Sequence, residues 1–301
     1  MHKHRKRRVV LVAIVVTLFC ASYAQHRYGN KPLMTGHMQD KRLNETSGIA
    51  ASAINPDIYY VHNDSGDTSR FFAITPNGTL KRTFYFKGDP RASLGVTDCE
   101  DIAVGPGPDT GKSYIYLGDI GDNHSTRPYI TVYRIPEPSI TQPDSIVKAV
   151  PLHLKYPDGA KDAETLMVDP LEKLLYIVSK RHNRVGVYTT PLTFKANDTL
   201  TLTKRCQLHF SGLPLFKWIT AGDISKDGRQ ILLKSYVRVY YWRRNGSEPI
   251  WQTMQRNPTR LPYEEEKQGE AIGFTNDGKA YYTTSEGVYA PIYLYQLPAI
   301  R

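Results

Sequence analysis

A pair of strands recurs five times along the chain, at spacings of 50 to 64 residues. Each copy has a short alternating strand, a turn, and a second strand rich in tyrosine and β-branched residues. In the last two copies the turn contains Asp227-Gly228 and Asp277-Gly278, a dipeptide typical of tight hairpins. The five copies open at Ser47, Glu100, Glu164, Thr220 and Glu270. A period of this length predicts a repeat architecture, which a two-sheet sandwich would not explain.

Each copy continues beyond its first two strands. Third strands are predicted near Arg70, Ile130, Gly186 and Ile292, and fourth strands include 80–86 and 200–205. Four antiparallel strands per copy are typical of a propeller blade. The last copy ends after three strands, so residues near 33–44 are predicted to supply its outer strand and close the ring. We therefore predict an all-β, five-bladed propeller; the alternative is a sixth, weakly marked blade in the long second copy or at the termini.

The first 24 residues have the layout of a secretory signal. Five Lys or Arg residues precede an apolar run of about 13 residues, which is shorter than a bilayer-spanning helix needs, and Ser22-Tyr23-Ala24 supplies small residues at the cleavage positions. We predict cleavage after Ala24, a single propeller domain over residues 25–301, and a secreted or luminal protein. The alternative is an uncleaved anchor with its basic end in the cytoplasm, the one route by which the chain would contact a membrane.

Charge and cysteine content narrow the function classes. Removing residues 1–24 lowers the net charge from +10 to +5 and leaves no basic cluster, so nucleic acid is not expected as a partner. Only Cys99 and Cys206 remain, and their placement on different blades predicts two packed thiols. The secretory hypothesis also predicts glycans at some of six Asn-X-Ser/Thr sites, namely Asn44, Asn63, Asn77, Asn123, Asn197 and Asn245.

The opening residues of the five copies are candidate metal ligands. In a propeller, innermost strands begin around one mouth of the central channel, where three carboxylates and two hydroxyls would face each other. Carboxylates confined in this way cannot all stay ionised without a cation, and an oxygen-only ligand set suits Ca²⁺. We predict calcium bound by Ser47, Glu100, Glu164, Thr220 and Glu270. The alternative is that the acids hydrogen-bond to backbone N–H groups or bridge through water.

A second set of polar residues follows at the ends of the second strands, between 14 and 19 residues after each opening residue. Acids there could position water, and lysines could hold a phosphate. The predicted catalytic residues are Asp64, Asp119, Lys180 and Lys234, with Glu286 at the corresponding place in the last copy. The alternative for any one of them is a solvated loop side chain. Glu172, in the turn after the third inner strand, is expected to face solvent.

The sequence around these residues resembles two known protein families. The segments His62–Asp67, Asp98–Ala103 and Gly118–Asn123, with Arg127, resemble a family of secreted propellers distantly similar to phytase-like domains. The order of the opening residues is also similar to that of calcium-activated nucleotidases of the apyrase type, whose five-bladed propellers hold calcium in a Ser/Glu/Glu/Ser/Glu ring; Thr220 replaces one serine. This resemblance implies a central Ca²⁺ and hydrolysis of nucleoside di- or triphosphates.

The leading functional hypothesis is a secreted, calcium-dependent phosphohydrolase that acts on nucleotides or other small phosphate esters. The alternative is a non-catalytic extracellular propeller, in which calcium rigidifies the channel and the loops bind a protein or glycan partner.

Overall fold

The computed structural model describes residues 31–143, 145–181, 184–213 and 217–298. The predicted signal segment lies outside these ranges. Among the described residues, no helix is long and apolar enough to cross a membrane. A short helix, α1 (Ile250–Thr253), accompanies a mainly β arrangement of the described residues.

Five β-sheets form five blades, as predicted. The first blade contains β2 (Thr46–Ala51), β3 (Tyr59–Asn63), β4 (Arg70–Ile74) and β5 (Leu80–Phe86). The second blade contains β6 (Cys99–Pro106), β7 (Ser113–Asp119), β8 (Ile130–Pro136) and β10 (Val150–Lys155). The third blade contains β11 (Ala163–Asp169), β12 (Leu174–Ser179), β13 (Val185–Pro191) and β15 (Thr203–Leu208). The fourth blade contains β16 (Ile219–Ile224), β17 (Gln230–Ser235), β18 (Arg238–Arg243) and β19 (Thr259–Leu261). The fifth blade contains β20 (Ala271–Phe274), β21 (Ala280–Thr284), β22 (Pro291–Gln296) and the N-terminal β1 (Leu33–His37).

The ring closes through β1, which pairs antiparallel with β22 at the outer edge of the fifth blade. This confirms the prediction that residues near 33–44 supply the missing strand. Each innermost strand contacts the innermost strands on either side, and β20 contacts β2 to complete the circle. The first and last copies of the repeat are thus held together without a covalent link, and both described cysteines are free thiols, as expected.

Apolar side chains lie on both faces of the blades because each blade packs between two others. Successive residues of a strand point to opposite faces. Leu166 accordingly packs toward the second blade, whereas Met167 packs toward the fourth. Five hydrophobic clusters result, one at each interface between blades. The core of the protein is therefore distributed around the ring, between the blades.

Two short strands add to the edges of the first two blades. Strand β9 (Ile146–Val147) pairs parallel with β5, and β14 (Asp198–Thr201) pairs parallel with β10. The prediction of one strand over 200–205 was therefore wrong in detail, because the chain passes at Leu202 from β14, on the second blade, to β15, on the third. Each added strand ties a connection of one blade to the preceding blade.

The expectation that Glu172 faces solvent was also wrong. Its Oε2 accepts hydrogen bonds from the Tyr176 hydroxyl at 2.8 Å and the Ile250 N–H at 3.0 Å, and it pairs with Arg244 at 3.0 Å. Arg244 is almost fully buried and also binds Asp169 at 2.8 Å. A turn residue near a blade interface can thus be drawn into a buried ion pair that a local sequence pattern does not reveal.

Candidate metal centre

The opening residues occupy the same structural position in four blades, a β-bulge on the innermost strand. The pairing of β2 with β3 shifts register between Thr46 and Gly48, which leaves Ser47 as the extra residue. The same shift brackets Glu100, Glu164 and Thr220. Glu270 lies directly before β20 in the fifth blade. A bulge redirects the side chain of the extra residue, and here it marks one end of the channel, which we call the acidic mouth.

The ends of the second strands do not all share one register. The backbone N–H of Asp64, Lys180 and Glu286 each donates to the carbonyl two residues before the opening residue of its blade. In the second blade the equivalent donor is Gly121, because one additional residue follows Asp119. Lys234 lies one step inside its strand, opposite Ala221. Three of the five residues therefore occupy one common position at the acidic mouth, and Asp119 and Lys234 occupy others.

Five carboxylates meet at the acidic mouth. Oxygen atoms of Asp64, Asp98 and Glu100 lie within 4.8 Å of one another, and so do oxygen atoms of Asp64, Glu270 and Glu286. Glu100 and Glu270 are buried, whereas Asp64, Asp98 and Glu286 are partly exposed. The cluster thus has a deep layer on the inner strands and an accessible layer above it.

These carboxyl groups have raised pKa values. Burial, reinforced by the charges of Asp98 and Glu270, raises the pKa of Asp64 to about 8. Burial and the contact with Glu270 raise the pKa of Glu286 to about 8. Burial and neighbouring carboxylates raise the pKa of Glu100 well above its usual range, and that of Asp98 in the same direction. Crowding of like charges in a desolvated site has this effect, and a bound cation would relieve it.

Three members of the predicted ring carry a buried oxygen atom that has no hydrogen-bond partner among the residues that the structure describes. These atoms are Oε2 of Glu100, Oε2 of Glu164 and Oγ1 of Thr220. An unpartnered buried polar group is costly. Glu100 is 2% exposed, and its unpartnered oxygen belongs to a group that also approaches Asp64 and Asp98. A ligand at this position would satisfy it.

Ser47 and Glu164 of the predicted ring each have a protein partner. The Ser47 hydroxyl is buried and donates to the main-chain oxygen of Glu100 at 2.9 Å. The carboxylate of Glu164 forms an ion pair with the ammonium of Lys180. Of the five predicted ligands, Glu100 and Glu270 thus belong to the two close carboxylate groups, while Glu164 already has a cationic partner.

The two lysines are both held by protein groups. Lys180 is 8% exposed at its side chain, pairs with Glu164, and lies 5.6 Å from the ring centroid of Tyr236. Lys234 is fully buried and donates to the main-chain oxygens of Gly269 and Ser235. Burial lowers the pKa of Lys234 to about 8. Lys234 thereby links the fourth blade to the fifth.

Asp119 organises the loop that carries Asp98. Its carboxylate accepts the N–H groups of Thr97 and Asp98 at 3.1 and 3.0 Å and pairs with Arg127 at 2.8 Å. Arg127 also donates to the carbonyl of Gly121 at 2.7 Å. A Cβ atom at Gly121 would collide with the carboxylates of Glu100 and Asp98. The segment from Gly118 to Arg127 thus fixes the position of Asp98 and leaves space for the carboxylates of Asp98 and Glu100.

Three residues of the centre were not predicted as ligands or ligand partners. Asp98 lies just before β6, and its sequence signal was its place at the start of the segment Asp98–Ala103, which carries a family resemblance. Glu286 was recognised only by its offset. Tyr236, whose hydroxyl donates to Oε1 of Glu270 at 2.5 Å, had no sequence signal because its role depends on contact between blades.

Comparisons with known proteins support the fold. No protein-family model and no curated protein matches the chain. Among solved structures, a gluconolactonase from Xanthomonas campestris matches 92% of this chain and 93% of its own, with 11% identity and a TM-score of 0.50. The Dos1 propeller matches 85% of this chain and 68% of its own, with 11% identity and a TM-score of 0.40. The match to the gluconolactonase supports the fold alone; the similarity to phytase-like or apyrase-type families is not confirmed.

Proposed function

We propose that the protein is a calcium-binding β-propeller that hydrolyses phosphate esters or anhydrides at the acidic mouth. The observation that carries the calcium site is the convergence of Asp64, Asp98 and Glu100, in which a buried oxygen of Glu100 has no partner among the described residues. Oxygen-only ligands suit Ca²⁺, which accepts six to eight of them. Glu270 and Glu286 provide further carboxylates beside Asp64.

A bound calcium would supply positive charge for a phosphoryl oxygen and favour ionisation of water. The residues of the chain have separate tasks in this proposal. Asp64, Asp98 and Glu100 would hold the cation. Because Asp64 is partly exposed, water bound to that cation would lie at the accessible side of the mouth. Asp119 acts through the backbone, because it fixes the loop of Asp98. Lys180, beside Glu164, is the lysine nearer to solvent and would contact phosphate.

A phosphate-release assay tests this proposal. Protein freed of metal should be inactive, and added calcium should restore phosphate release from at least one member of a panel of nucleoside di- and triphosphates and inositol phosphates. A lactone belongs in the same panel because of the structural neighbour. Glu100→Gln should reduce the activity at least tenfold, and the exposed Glu265→Gln serves as the matched control. Calcium binding without turnover of any phosphate compound would reject the hydrolase.

One observation favours a second candidate, a non-catalytic calcium-binding propeller that binds a protein or glycan. Both lysines that were predicted to hold phosphate already have protein partners, and Lys234 is fully buried. The same assay separates the candidates, because this one predicts calcium binding with no phosphate release.

The proposed location is extracellular or luminal. It is supported by the pattern of residues 1–24 and by Asn-X-Ser/Thr sites with exposed asparagines at 44, 77, 123, 197 and 245. Expression of the full chain in a secreting host, with N-terminal sequencing of the product, tests it; a mature chain beginning at Gln25 is expected.

A further inference from the structure

The five carboxylates of the acidic mouth form two ligand sets that share one residue. We propose that the mouth binds two calcium ions, with Asp64 as the ligand common to both. The first site comprises Asp64, Asp98 and Glu100, and the second comprises Asp64, Glu270 and Glu286. This inference rests on the calcium-binding part of the proposed function and extends it from one ion to two.

The distances fit two separate ions. Within each set the ligand oxygens lie within 4.8 Å of one another. Ca²⁺ binds oxygen at about 2.3–2.6 Å, so oxygens on opposite sides of one ion can be separated by up to about 5 Å. The two sets meet only at Asp64. A carboxylate has two oxygen atoms and can therefore contact one ion with each, as in two-metal hydrolases, whose ions are about 3.5–4 Å apart.

The charges of the five carboxylates, when ionised, also favour binding of more than one divalent cation. Nearby basic residues are already paired, Lys180 with Glu164 and Arg127 with Asp119. One calcium ion would compensate two of the five carboxylates, and the remaining like charges would still be crowded together. Two calcium ions would carry a positive charge nearly equal in magnitude to the negative charge of the five ionised carboxylates. With two ions bound, the mouth could accept an anionic substrate. Without them, its carboxylates would repel the same substrate.

Each ligand set is held in place by a different part of the structure. On the first side, Oε2 of the buried Glu100 is unpartnered among the described residues, and Gly121 leaves room for the carboxylates of Glu100 and Asp98. On the second side, the Tyr236 hydroxyl orients Glu270, and Gln268 donates to Oε2 of Glu286 at 2.7 Å. Substitutions can therefore address one site without touching the ligands unique to the other.

Native mass spectrometry and calorimetric titration of the full chain with Ca²⁺ test the inference. Wild-type protein should bind two ions. Asp98→Asn and Glu286→Gln should each bind one tightly, and Asp64→Asn should weaken both by at least tenfold. Glu265→Gln, at an exposed position, should still bind two. Circular dichroism verifies that each variant is folded.

The outcomes distinguish this inference from the proposed function. A wild-type stoichiometry of one overturns the two-ion site and leaves calcium-dependent hydrolysis standing. Loss of the same single ion in both Asp98→Asn and Glu286→Gln also overturns the two-ion site, because the two ligand sets would then form one site. No calcium binding by the folded wild-type protein overturns both.

Discussion

The hydroxyl of Tyr236 donates a hydrogen bond of 2.5 Å to Oε1 of Glu270. Tyr236 belongs to the fourth blade and Glu270 opens the fifth, so this bond joins two blades at the acidic mouth. Partners that orient a metal ligand in this way commonly change metal affinity by about 10–100-fold when removed. Tyr236→Phe should therefore weaken calcium binding by about tenfold, as measured by calorimetric titration. The exposed Tyr289→Phe is the control; equal affinity in both variants would show that the bond does not act on the metal.

Calcium should stabilise the protein through Glu100. A ligand that binds only the folded state adds about 2.7 kcal/mol at a concentration one hundred times its dissociation constant. The melting temperature of wild-type protein should rise with Ca²⁺, and Glu100→Gln should lose most of that rise. Glu265→Gln should keep it. Glu172→Gln is unsuitable as a control because Glu172 binds Arg244 and the N–H of Ile250.

The pH dependence of stability should change when calcium binds. Asp64 and Glu286 have folded-state pKa values of about 8, above the values of about 4 expected in the unfolded chain. The calcium-free folded protein therefore retains protons that the unfolded chain releases, and the resulting stability is complete below about pH 4 and is lost as pH rises through about 8. The urea midpoint should thus fall between about pH 5 and about pH 9 without calcium.

Saturating calcium should remove most of this loss, because the ion favours the ionised carboxylates. Asp64→Asn in calcium-free buffer should flatten the same profile. A midpoint that responds to pH identically with and without calcium would argue that the acids at the mouth do not bind the ion.

The ion pair between Glu164 and Lys180 should be important for stability in calcium-free buffer. Both side chains are less than one-tenth exposed. Removing one partner of a buried pair leaves an uncompensated charge, which costs about 3–5 kcal/mol. Lys180→Met should lower the free energy of unfolding by about 3 kcal/mol, and addition of Glu164→Gln should recover most of it. A double-mutant cycle from urea unfolding measures the coupling; additive effects would contradict a direct pair.

Glycopeptide mass spectrometry tests the secretory assignment together with the local structure. Asn63 is 5% exposed, and its side-chain amide donates to the carbonyl of Arg42 at 2.6 Å and to Asp67 at 2.9 Å. Asn77, Asn197 and Asn245 are exposed, on connections at the far end of the blades. Protein from a glycosylating host should carry sugar at these three sites and none at Asn63. A glycan at Asn63 would contradict the burial described for it.

The repeat allowed the architecture to be predicted because a strand buried on both faces and a tight hairpin leave local signals. The opening residues were recognisable for the same reason, and four of them occupy equivalent bulges. The outer strands were harder to assign. The residues at which these strands begin and end depend on pairing between distant segments. At Leu202, for example, the chain passes from a strand of the second blade to a strand of the third.

The composition of the candidate site could be predicted only in part. Glu100 and Glu270 were identified from their position in the repeat. The pairing of Glu164 with Lys180 and the burial of Lys234 depend on side-chain contacts across strands and blades, which a constant sequence offset cannot specify. The additional residue after Asp119 shows the limit of such an offset, since it moves the equivalent position to Gly121.

The most direct test of a calcium site at the acidic mouth is a crystal structure of the calcium-soaked protein with anomalous scattering data. An anomalous peak is expected within about 2.3–2.6 Å of carboxylate oxygens of Asp64 and Glu100. Peaks only at other places, with the acidic mouth free of anomalous density, would contradict it.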